Sequence, residues 1–163
     1  FKDQVVYANI QHEIRTLRTQ GCNRIVLLGL GMGAIYSLAY AQYLEYRTEE
    51  LDLVLACYPH LIFPEGAKKV PPQLEKIPTS VRIWLTYGDK DENVEKGTIS
   101  LVKSAVQERD NTELYIAKGA QHAYMERFVQ YCFLNPMYHK LRAGSALGRL
   151  LGEVDYLQQG GNV

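Results

Sequence analysis

Residues 24–46 read RIVLLGLGMGAIYSLAYAQYLEY, and the turn in their middle decides the fold. Residues 24–29 form a short run of Ile, Val and Leu closed by glycine, the pattern of a buried strand. Residues 33–46 read as a helix. Between the two lies GLGMGA, residues 29–34. Glycines at a strand-to-helix turn serve two different chemistries. Gly29-x-Gly31-x-x-Ala34 fits a dinucleotide turn, where the backbone approaches a pyrophosphate at a helix N-terminus. Gly29-Leu30-Gly31-Met32-Gly33 also fits a nucleophile elbow, in which a strained turn presents the central residue and flanking glycines admit close strand–helix packing.

The surrounding chain separates these readings. A dinucleotide site expects an acid at the end of the second strand, to hold the ribose hydroxyls. Here the second strand, residues 51–59, ends LACYP, and its acid, Asp52, lies at the opposite end. Residues 5–20 read as a helix stopped by Gly21, and the proline-rich stretch 60–78 reads as a loop. Strands at 80–88 and 112–119 flank a helix at 96–110. From about residue 123 the pattern is helical, broken near Asn135-Pro136 and resuming as a C-terminal extension over 136–163. Such strand–helix alternation predicts a single α/β domain, 1–163, with a mainly parallel sheet and helices on both faces. Chemistry in such sheets gathers beyond the carboxyl ends of the strands.

Composition narrows the function classes. Eighteen basic and eighteen acidic side chains cancel, which gives no field to attract nucleic acid or an anionic membrane. No apolar run is long enough for a membrane span. Cys22, Cys57 and Cys132 are scattered without C-x-x-C spacing, so neither a metal site nor a disulfide framework is expected, and the usage suits a reducing intracellular compartment, cytosol or organelle matrix.

Two stretches after later strands complete the elbow reading. YGDKDENV follows the third strand and KGAQHAYM the fourth, giving the order elbow, acid, histidine. With LACYP on the second strand, Gly88-x-x-Asp91 after the third and Gly119-Ala-x-His122 after the fourth, the chain resembles the α/β-hydrolase fold, and most closely its dienelactone hydrolase-like branch. The resemblance covers about residues 20–130, the C-terminal half of such a fold. It implies hydrolysis of small esters or lactones by a Cys or Ser nucleophile, an Asp and a His, with no cofactor and no metal. By position it assigns Asp91 as the acid, His122 as the base and the Met32 backbone N–H as an oxyanion donor. Gly31 departs from the pattern at the nucleophile itself.

An imidazole suits proton abstraction near neutral pH, and a carboxylate behind it fixes the tautomer. Without oxygen or sulfur at position 31, His122 has no side chain to activate. The other candidates do not replace it. Cys57 reads as a buried core thiol, Ser37 lies a turn into the helix, and His60 sits in the proline-rich loop. Asp89 competes with Asp91 as the acid, but the G-x-x-D spacing favours Asp91. Glycine also relieves the strain that the turn imposes on a central residue, which suits natural loss of the nucleophile. The expected function is therefore a non-catalytic binding or structural component. A degenerate Asp–His hydrolase and a dinucleotide-binding module are the alternatives.

The resemblance also implies strands before the elbow strand, and these are missing from the sequence, which opens at Phe1 inside a helical pattern. The chain is expected to be N-terminally incomplete, forming a half-sheet whose apolar edge is covered by a missing segment or a protein partner. Tyr124, Phe128, Tyr131, Phe133, Tyr138 and Tyr156 are expected to pack helix on sheet and to assist that docking.

Overall fold

The computed structural model describes residues 3–43, 51–63, 65, 67 and 71–125. The expected C-terminal helices, the extension 136–163 and the aromatics from Phe128 to Tyr156 lie outside these residues. The described elements alternate along the chain. Helix α1 (Asp3–Thr19) precedes strand β1 (Val26–Leu30), helix α2 (Met32–Gln42) and strand β2 (Leu53–Cys57). A single 3₁₀ turn (Leu74–Lys76) interrupts the proline-rich connection before strand β3 (Arg82–Gly88), helix α3 (Thr98–Glu108) and strand β4 (Thr112–Ala117).

The four strands form one parallel sheet in the order β1-β2-β3-β4, with helices packed on it. Its two inner strands are continuous apolar runs, as burial on both faces requires. Every residue of β2 is buried, as are Ile83 to Gly88 of β3. Around them Leu38, Tyr40, Leu53, Leu55, Leu74, Ile77, Ile83 and Leu85 fill the core. Residue pairing aligns Leu30 with Cys57, and Cys57 with Thr86, so successive strands end side by side. Gly88 pairs with Ala117 at the end of the last two strands. This register sets the elbow, LACYP and the loops of Asp91 and His122 along one rim of the sheet.

β1 differs from the inner strands. Gly29 faces α2 and is buried, whereas Leu28 and Leu30, which alternation turns to the opposite face, are 55% and 42% exposed. Met32, just past the turn, is 67% exposed. Among the described residues β1 pairs only with β2, leaving its other edge without a strand.

All four strands are bounded differently from the sequence reading, β3 running over Arg82–Gly88 and β4 over Thr112–Ala117, and two of the ends have a local reason. The second strand stops at Cys57, not Pro59, because Tyr58 turns into the left-handed region with φ 44°. The first is displaced to Val26–Leu30, since strand geometry runs up to the turn at Gly31.

Candidate functional site

The elbow is built by three glycines that do different work. A Cβ on Gly29 would lie 2.5 Å from the backbone of Ala34, so only glycine lets the first turn of α2 rest on β1. Gly31 sits at φ 52°, ψ −114°, a conformation that L side chains rarely adopt. Its N–H donates to the Cys57 carbonyl at 3.0 Å, and its own carbonyl accepts from Ala34 N–H at 3.1 Å. A Cβ on Gly31 would meet nothing within 4 Å, so the space above the turn is open. Gly33 corrects the sequence reading. A Cβ there would also meet nothing within 4 Å, so the close strand–helix packing rests on Gly29 alone. Met32 opens α2, where the first N–H groups of a helix have no carbonyl partner within it.

Asp91 and His122 come together as the spacing predicted. His122 Nδ1 lies 2.9 Å and 3.1 Å from the two carboxylate oxygens of Asp91. The Asp91 side chain is fully buried, and that of His122 is 21% exposed. Two further donors hold the carboxylate, Asn93 N–H at 3.0 Å and Val94 N–H at 3.2 Å, both to Oδ1. With Asp91 as acceptor, Nδ1 carries the proton, and Nε2 of the neutral ring presents its lone pair. An imidazole oriented in this way can accept a proton at Nε2.

The loops that carry this pair are in direct contact, and the contact explains the glycine of G-x-x-D. A Cβ on Gly88 would stand 2.2 Å from the Ala120 carbonyl oxygen, because the His122 loop crosses directly over the end of β3. Gly119 takes the left-handed turn that starts this crossing, at φ 71°. Asp89, the competing acid, does not face His122. Its Oδ1 accepts from the Gly119 N–H instead.

The remaining candidates fall into place around His122. His60 stands beside it, ring centroids 5.7 Å apart, closer to the pair than a loop position suggested. Cys57 is buried and contributes its carbonyl to the elbow. Ser37 donates to the Gly33 carbonyl at 2.9 Å, one turn back along α2. Sequence reasoning missed Tyr58. Its ring lies edge-on to His122 at 5.2 Å and to Tyr124 at 6.2 Å. The positive φ that places it there gives no signal beyond a bulky residue before Pro59.

Below the rim, two buried phenols tie the strand ends together. Tyr87 donates to the Pro59 carbonyl at 3.0 Å, and burial first, then the Asp91 charge, pushes its phenol well above the ordinary range. The Tyr124 and Thr86 hydroxyls are 2.6 Å apart, and burial likewise raises the Tyr124 phenol.

The described residues contain no group of three or more His, Cys, Asp or Glu side chains placed to hold a metal ion. The carboxyl end of β2 presents Cys57 and Tyr58 where a ribose-binding acid would stand. Asp52, at the other end, pairs with Arg24 at 2.7 Å and accepts from Ile25 N–H at 2.7 Å.

Comparison with known proteins agrees with this fold. A solved structure of a Klebsiella pneumoniae protein named for dienelactone hydrolase superposes with a TM-score of 0.71 at 21% identity, over 92% of this chain and 60% of its own. An α/β-hydrolase enzyme from a Medee basin deep-sea metagenome library gives 0.59 at 17% identity, over 80% and 54%. A dienelactone hydrolase-like promiscuous phosphotriesterase from metagenomic libraries gives 0.55 at 14% identity, over 78% and 51%. At such identities the likeness is one of fold, and this chain spans between about half and 60% of those lengths. Comparison with the curated proteins found no match. The sequence model of the dienelactone hydrolase family matches residues 2–151, and the chain belongs to that family.

Proposed function

We propose that this chain is a dienelactone hydrolase-family binding component that forms no covalent intermediate. Gly31 carries the proposal. It occupies the turn where the family pattern places its nucleophile, the space above it is open, and nothing bonded to carbon there can attack a carbonyl. The ligand in this reading is a small ester or lactone, held by the Met32 N–H and faced by His122.

The exposed side of β1 belongs to the same reading. Leu28, Leu30 and Met32 make an apolar strip along a strand whose outer edge has no partner strand among the described residues. Such an edge pairs readily with a further strand, supplied by other residues of the same protein or by a partner chain.

A second reading is favoured by one observation, the well-formed contact between His122 and Asp91. An oriented imidazole can take a proton from water as the water attacks a bound ester, which is hydrolysis without a nucleophilic side chain. Turnover of p-nitrophenyl acetate separates the readings. The binding-component reading expects background rates that are equal for the wild type and His122→Ala. Turnover that falls by ~100-fold or more on His122→Ala, as loss of a general base does, would establish the second reading in its place.

A further inference from the structure

Beyond the last residue pair of β3 and β4, Gly88 with Ala117, the two strands end but their loops remain joined. Asp89 N–H donates to the Ala117 carbonyl at 3.2 Å, and Lys90 N–H donates to the Ala120 carbonyl at 2.9 Å. The Asp91–His122 contact closes the far end of this ladder. Between them the Gly119 N–H donates to Asp89 Oδ1. Gly119 is in the left-handed conformation, so its peptide plane can rotate cheaply unless something fixes it. Three residues later the chain reaches His122.

From this arrangement we infer that Asp89 is a positioning residue: its carboxylate fixes the Gly119 peptide, and through it the loop that delivers His122 to Asp91. Asp89 touches neither His122 nor the space over Gly31, so it acts only through the loop. Its own side chain is exposed and fills no core position, so replacing it leaves the packing intact. The inference rests on reading Asp91 and His122 as a retained functional pair.

The test uses the full chain and reads the pair directly. The His122 Nδ1 proton, held against a carboxylate, gives a low-field NMR resonance, and hydrogen exchange reports the Gly119 amide. In Asp89→Ala the low-field resonance is expected to be broadened or lost and Gly119 exchange to quicken by about tenfold or more, with an unchanged circular dichroism spectrum. Asp89→Asn retains an acceptor oxygen for the Gly119 N–H, and is expected to recover both signals. Should Asp89→Ala fail to fold, Asp89→Leu, similar in shape but without an acceptor, is compared with Asp89→Asn in the same two measurements. A His122 resonance and Gly119 protection unchanged in a folded Asp89→Ala or Asp89→Leu overturn the inference. So does a loss that Asp89→Asn fails to recover. Neither measurement involves turnover, so failure here is distinct from failure of the binding-component reading, which ester hydrolysis decides.

Discussion

At the scale of single residues, the glycines of the elbow and of the G-x-x-D turn make opposite predictions. Gly31 adopts a conformation that costs a residue with a side chain on the order of 1–3 kcal/mol. Gly31→Ser is therefore expected to lose roughly that much stability in urea unfolding, although its Cβ meets no neighbour. Gly33 lies inside α2 with open space around it, so Gly33→Ala is expected to stabilise the fold by about 0.5–1 kcal/mol. Gly88→Ala drives a methyl group into the Ala120 carbonyl and should cost at least about 1–3 kcal/mol, with the His122 contact disturbed as well. An unfolding series on these three variants checks the order. The choice of Asp91 over Asp89 was legible in the spacing, because G-x-x-D describes how far the chain must run beyond the strand to face a histidine on the neighbouring loop. The bond from Asp89 to Gly119 was not legible, since it depends on two loops crossing in space.

The strands and helices themselves follow from local pattern, and their ends follow from tertiary geometry. Apolar runs of β2 and β3, closed by Pro59 and Gly88, mark inner parallel strands in any α/β sequence. The left-handed Tyr58 that ends β2 is a different matter, because β-strand propensity favours tyrosine and continues the strand one residue further. Its conformation is set by what it touches, His122 and Tyr124, both more than sixty residues away in the chain. β1 raises the opposite case. Its sequence reads as a buried strand, yet Leu28 and Leu30 are exposed on one face. Replacing exposed side chains away from packing usually changes stability by no more than about 0.5 kcal/mol. Leu28→Lys with Leu30→Lys is therefore expected to leave the urea midpoint of the chain nearly unchanged while reducing its self-association or capture of a covering strand, as sedimentation velocity would register. A large loss of stability would show that this face is already packed within the chain.

For the molecule as a whole, the parallel sheet collects the elbow, Asp91 and His122 on one rim, and two buried phenols brace that rim. Among the described residues no helix is long and apolar enough to cross a membrane. Tyr87, raised by burial and by the Asp91 charge, keeps its proton in the fold at a pH where the unfolded chain releases it. The stabilisation this gives is complete below the ordinary phenol value of about 10 and is lost as pH rises beyond it, because the unfolded state then binds fewer protons than the native state. Urea midpoints measured from about pH 8 to about pH 11 should fall across the upper part of that range. Tyr87→Phe should lessen the slope, and Tyr124, raised in the same direction, should retain part of it. The proposed binding role turns on the same rim: the elbow turn is formed and His122 meets Asp91, while Gly31 offers no side-chain atom to attack. It is tested most directly by acetylation with p-nitrophenyl acetate, followed by stopped-flow absorbance and protein mass. A burst of p-nitrophenolate and one added acetyl group are expected in Gly31→Cys, both lost when His122→Ala is combined with it, and neither in the wild type. A His122-dependent burst from the wild type, or none from Gly31→Cys, would contradict it.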